Sequence, residues 1–197
     1  MAKQEQIGDV PGNVLGMLAD LNHKLQHGKI SPKQLERFLK KENPFDSTIT
    51  ITEKHTILQV TVNRDRSIAD GVAAGKYNFS NTDITDANFP HTGAGTESSE
   101  IVLVHFDALM STDNVLKELK KRNLRPADIQ ELLAIGEQFP EQQREFPIIA
   151  LGSIEQCLDG NRVVPFLCSD DSKRELYLGW VGVVDWSEIC RFAAVRK

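Results

Sequence analysis

Long apolar runs are missing from this sequence. No stretch of its 197 residues approaches the roughly 18 consecutive apolar residues that cross a bilayer as a helix. The longest, such as IVLVHF over 101–106, have strand length, so no membrane span is expected. Cysteine is scarce: Cys157, Cys168 and Cys190 are too widely spaced for a CxxC zinc or redox site, and three reduced thiols with no metal and no cofactor are expected. A basic excess is absent too. The 23 Lys and Arg against 28 Asp and Glu leave a net charge of −5, which argues against a nucleic-acid partner. The opening MAKQEQIGDVPGNV has neither the apolar stretch nor the small-residue cleavage site of a signal peptide, so a cytoplasmic chain is expected.

Catalytic motifs are equally sparse. His55, His91 and His105 are scattered, and no Ser, Cys or carboxylate stands beside them in a nucleophile pattern. His105, inside an apolar strand, reads as a core histidine before it reads as a ligand. Gly93-Ala94-Gly95-Thr96 follows no strand-to-helix turn and is no phosphate loop. Cys190 beside Arg191 could have a depressed thiol pKa, or be a small buried apolar group on the last strand. No catalytic residue is assigned, and recognition is expected rather than catalysis. An enzyme using Cys190 or a histidine is the third alternative.

What is present is an ordinary globular composition, 40% hydrophobic and 26% charged, enough for one sizeable core and an appendage. Val14, Leu15, Leu18, Leu21 and Leu25 recur at helical spacing until Gly28. Ser31, Pro32 and Gln34 then open a second helix striped by Leu35, Phe38 and Leu39. These predict an N-terminal helical hairpin over 1–45. Its basic face (Lys29, Lys33, Arg37, Lys40, Lys41) is a solvated face or else a contact surface. In an alternative reading this hairpin does the recognition.

Residues 46–197 read as one α+β domain. A strand covers 48–63, a short helix 67–74, and a central strand 100–106. Helices follow over 112–122 and from Pro126 to Pro140, and strands then complete the chain. The polar stretch 75–99 predicts an ordered loop or a lid. Asp83, Asp86 and Asn88 within it suit Asx-turns and helix caps better than calcium, since no EF-hand pattern is present.

The last quarter departs from these habits. In Arg174–Trp180, Leu176, Leu178 and Trp180 share one face while Glu175, Tyr177 and Gly179 share the other. Between Trp180 and Trp186 lies Val181-Gly182-Val183-Val184-Asp185, a mostly valine connector where a polar one is usual. It is either an exposed contact loop or an extension of the strand into the core.

This tail, Arg174-x-Leu176-x-Leu178-x-Trp180, then Trp186, then Cys190-Arg191-Phe192-Ala193-Ala194-Val195-Arg196, resembles that of variable proteins of diversity-generating retroelements. The segments FPIIALGS and LRPADIQELLAIG resemble the same family. The resemblance implies a C-type-lectin-like domain over 46–197, with a mixed or antiparallel sheet, two helices and a variable region about 152–197. It implies a binding surface diversified at Glu175, Tyr177, Gly179, Val181, Gly182, Val183, Val184, Asp185, Ser187, Glu188 and Ile189. Residues 154–157 and 168–171 would adjoin that surface. Leu176, Leu178, Trp180, Trp186 and Phe192 would be scaffold. The partner so implied is a protein or another macromolecule. Randomising both adenines of an AAC or AAT codon reaches every one of those residues except Glu175 and Glu188, and never reaches Trp. The calcium-binding triplets of sugar-binding lectins and the paired cysteines of formylglycine-generating enzymes are absent.

Overall fold

The computed structural model describes residues 21, 23–26, 35, 55–90, 93–157, 160–170, 173–183 and 185–196. The chain divides into Met1–Thr50 and Ile51–Lys197. In the first unit Leu21, residues 23–26 and Leu35 are helical. The rest of the expected hairpin over 1–45, its basic face included, lies outside the described residues, as do residues 48–54. The second unit carries the sheet.

Its elements are β1 (Thr56–Asn63), α1 (Ile68–Gly75), β2 (Phe79–Ser80), β3 (Thr96–His105), α2 (Thr112–Lys121), β4 (Leu124–Pro126) and α3 (Ile129–Gln138). A short α4 (Gln142–Glu145) follows, then β5 (Ile148–Ile149), β6 (Glu155–Gln156), β7 (Arg162–Asp170), β8 (Lys173–Trp180) and β9 (Arg191–Arg196). Side chains capping the orphan amides of the first turn start three of the helices. Ser67 accepts from the Asp70 amide, Ser111 from the Asn114 amide, and Asp128 forms a reciprocal capping box with Glu131. The helix expected from Pro126 starts later. Pro126 pairs with Ala194 in the sheet, and the Ala127 amide donates to the Ala193 carbonyl at 2.8 Å, so the backbone stays extended until Asp128.

The strands form one sheet in the order β1-β3-β9-β5-β7-β8-β2, with β4 beside β9 and β6 beside β7. Pairing is antiparallel except for β5 with β9 and β2 with β8 among the described residues. The unit is therefore a mixed α+β fold with a mostly antiparallel sheet. Strand β3, expected to be central, is paired on both sides, by β1 and β9.

Residues opposite one another across a strand pair share a face, so the register divides the core in two. One face carries Leu58, Ile101 and Val195, then Leu103 and Ala193, then Ile148, Leu167 and Leu176. Helices α1 and α3 cover it with Ile68, Ile129, Leu132 and Leu133. The opposite face carries Val102, Val104, Phe192, Ile149 and Phe166. Val115 and Leu119 of α2 are buried beyond the main cluster, as are Phe106 and Met110.

Polar groups pin α3 in place. Glu131 is fully buried and accepts from Arg64 (2.9 Å), from both terminal nitrogens of Arg125 (2.9 and 2.6 Å) and from the Asp128 amide (2.9 Å). A carboxylate taken from water needs such a full set of donors. Within the expected 75–99 loop, Phe79–Ser80 form β2 and residues 96–99 belong to β3. Between them Ile84 and Phe89 are buried, and Asp86 accepts from the Ile68 amide at 2.9 Å, so residues 81–90 are packed onto the domain.

Candidate binding face

One row of side chains runs across the second face of the sheet and changes character along its length. Val104, Phe192, Ile149, Phe166 and Tyr177 are successive partners across β3, β9, β5, β7 and β8. The first three are buried; Phe166 and Tyr177 are half-buried. Phe79 of β2 stacks on Tyr177 with ring centroids 4.7 Å apart, and is 43% exposed. Phe166 lies on the other side of Tyr177 at 6.1 Å. The covering helix α2 packs on β4, beside β9, while the β7–β8–β2 end of this face stays partly open.

Trp186 closes the boundary between covered and open. Its indole N–H donates to the Thr112 hydroxyl at 2.9 Å, and its ring meets Phe192 edge-on at 6.2 Å. Gly179 makes room for it: a Cβ there would lie 3.1 Å from the Trp186 ring and 3.4 Å from Phe166. Such contacts are tighter than ordinary packing, so Gly179 and Trp186 are sterically coupled.

The sequence-expected residues are distributed as follows. Glu175, Tyr177 and Gly179 all face outward on the half-open side of β8, whereas Leu176 and Phe192 are buried. Leu178 is half-buried against the main cluster. Gly182 (φ 79°), Val183, Asp185, Ser187, Glu188 and Ile189 are exposed, with Val183 at 64% and Ile189 at 57%. Val184 lies outside the described residues.

Two expectations are reversed. Trp180, expected as scaffold, is 48% exposed, and Val181, expected on the surface, is buried. Trp180 keeps the parity of Leu176 and Leu178, but the layer over that side thins along β8, from buried Leu176 to half-buried Leu178 to open Trp180. Val181 ends the strand's alternation: its amide donates to the Arg162 carbonyl at 2.8 Å and its side chain turns into the core.

Two thiols and a phenol here hold their protons more tightly than usual. Burial pushes the Cys168 thiol up to about 11, helped by the negative charges of Glu175 and Asp170. The Tyr177 phenol moves upward by desolvation and then by the same carboxylates. Burial also raises the Cys190 thiol, more than its Ser187 contact and Arg191 lower it, the opposite direction from the depressed pKa that its arginine neighbour suggested. His105 sits half-buried at the end of β3, with its Nε2 2.9 Å from the Glu188 carbonyl, where it ties down the tail loop.

Phe79, Phe166 and Leu109 are contributors that sequence reasoning missed. Phe166 follows Pro165 inside an apolar strand and Phe79 sits in a polar stretch, so neither carries a local signal of exposure. Compared with protein-family models, characterised proteins and solved structures, the chain matches none.

Proposed function

We propose that this chain is a binding protein of the C-type-lectin-like class, related to the variable proteins of diversity-generating retroelements. Its diversified contact surface consists of Glu175, Tyr177 and Gly179 with the exposed loop residues of 182–189. The observation that carries this reading is the division of labour along β8. Arg174 and Leu176 are buried on one side, while Glu175, Tyr177 and Gly179 alternate with them on the half-open side. Outward positions such as Glu175 and Tyr177 vary at little cost in stability, whereas packed ones do not, and a side chain at Gly179 needs Trp186 to yield. A mixed sheet completed by the last strand, with helices over both faces, also supports it. The partner is a protein or other macromolecule, bound without chemistry.

The test is the genomic neighbourhood. A reverse-transcriptase gene and a non-coding copy of the final gene segment are expected nearby. In the copy, codons for Tyr177, Gly179, Val183, Asp185, Ser187 and Ile189 should carry adenines where the gene has other bases. Codons for Leu176, Trp186 and Phe192 should be identical in both. A copy that differed mainly at Leu176 and Phe192 would diversify the core, and the proposal would fail.

A further inference from the structure

Two loops are joined at the end of the sheet where β8 stops. Residues 107–111 lead into α2, and residues 181–190 connect β8 to β9. Met110 and Trp186 exchange both backbone hydrogen bonds, at 3.1 and 2.9 Å. The Trp186–Thr112 and His105–Glu188 bonds add two more ties. The loops are thus one fixed surface rather than two independent ends.

That surface is apolar at its tips and acidic around them. Among the described residues, Leu109 (65% exposed), Val183 and Ile189 are exposed large apolar side chains of these loops, and exposed Trp180 precedes the second loop. Over 107–113 and 181–190 the chain carries Asp107, Asp113, Asp185 and Glu188, and no Lys, Arg or His. All four carboxylates are exposed. Basic groups border the region: the His105 Nε2 lies 3.9 Å from Asp107. Arg162 lines a cleft of about 540 Å³ together with Asp113, Val183 and Asp185. Arg191 stacks on the Phe146 ring at 4.5 Å, donates to the Ile189 and Cys190 carbonyls, and its charge also meets that of Asp107. The balance of the exposed charge is therefore negative.

Exposed apolar groups ringed by charge mark contact sites, and the sign of the ring selects the partner. We infer that this end docks a cationic amphipathic polypeptide. Its Lys or Arg side chains meet Asp113, Asp185 and Glu188, and its apolar side chains cover Leu109, Val183 and Ile189. A two-fold contact with a second copy would set the same carboxylates against one another, and an anionic membrane surface would be repelled. The inference rests on the binding function proposed above and adds residues 107–113, which lie outside the variable tail.

The test titrates the full chain with a fluorescein-labelled peptide of Lys and Leu at helical spacing, beside Lys/Ser and Glu/Leu peptides of equal length. Saturable binding of the Lys/Leu peptide alone is expected. The triple variant D113N/D185N/E188Q and the double variant L109S/V183S should each weaken it by about tenfold or more. Thermal midpoints should stay unchanged, because every substituted side chain is exposed. Absence of Lys/Leu binding, equal binding of Lys/Ser, or unchanged affinity in both variants would overturn the inference. So would preference for phosphatidylserine vesicles, or dimerisation that L109S abolishes. Peptides selected from a display library separate the two claims: ligands lost on Tyr177→Ala but indifferent to the carboxylate variant would keep the binding function and overturn the docking inference.

Discussion

The guanidinium of Arg174 lies over the ring of Tyr77, 5.2 Å from its centroid, and joins three helices that are all remote from it in sequence. It donates to the Gly75 carbonyl at the end of α1 (2.8 Å), to the Gly136 carbonyl of α3, and to the Gln143 side chain of α4 (3.0 and 3.2 Å). Its hydrogen-bond partners are carbonyl oxygens, not a carboxylate. Two of them belong to the C-terminal parts of helices, where the backbone dipole favours a cation.

Replacing Arg174 with Lys should therefore destabilise the domain despite keeping the charge. An ammonium cannot span the three acceptors that the planar fork reaches, and each buried acceptor left unpaired costs about 1–3 kcal/mol. Urea melts of the full chain check this. A loss below about 0.5 kcal/mol, the range of ordinary surface changes, would show that Arg174 is not a tie between helices.

The reversal at the end of β8 makes a second prediction. Leu176→Ala should cost about 2–5 kcal/mol as a core truncation, and Val183→Ala should stay within about 0.5 kcal/mol. Val181→Ala should fall between them, at about 1–2 kcal/mol for its buried methyl groups. Equal losses at Val181 and Val183 would mean that the loop is uniformly exposed or uniformly buried.

Gly179 and Trp186 supply a third. A branched side chain at 179 must push the indole away from Phe192 and Thr112. In a Trp180→Phe background, Gly179→Val should shift Trp186 emission to the red as the ring gains water. Unchanged emission would mean that the ring does not depend on the missing side chain. If position 179 is diversified, Trp186 must then accommodate each replacement.

Alkaline pH gives a fourth. The Cys168 thiol is raised from its ordinary 9.0 to about 11, because burial and the nearby carboxylates disfavour the thiolate. The folded state thus holds the proton more tightly than the unfolded state. The stabilisation is complete below pH 9.0 and is lost as pH rises through about 11. Tyr77 has the same sign at higher pH, since burial raises its phenol. The denaturation midpoint should fall across this window, and Cys168→Ala should remove part of the slope. A midpoint that rose with pH would contradict the assignment.

Much of the local structure is written in short stretches of sequence. Ser67, Ser111 and Asp128 announce helix starts because a side-chain oxygen there satisfies amides only three residues away. The alternation of β8 separates Leu176 from Tyr177 because successive strand side chains must point to opposite sides. Pro126 misled because a proline suits both a first helical turn and an extended segment. Only the Ala193 carbonyl, 66 residues further along the chain from Ala127, decided between them.

Sequence by itself determined the α+β order of elements and which residues of β8 share a side, since both follow from backbone periodicity over a few residues. Tertiary structure alone decided how deeply each side is covered. Phe192, Ile149, Phe166 and Tyr177 come from four separate strands and become one row only through pairing. Whether a member of that row is core or surface depends on what lies above it: Trp186 beside Phe192, open space beside Phe79. The same holds at Trp180 and Val181, where parity names a side but cannot say whether anything distant packs there. Burial is a property of the assembled layers, set by dense contact between segments remote in the chain, and no local pattern contains it.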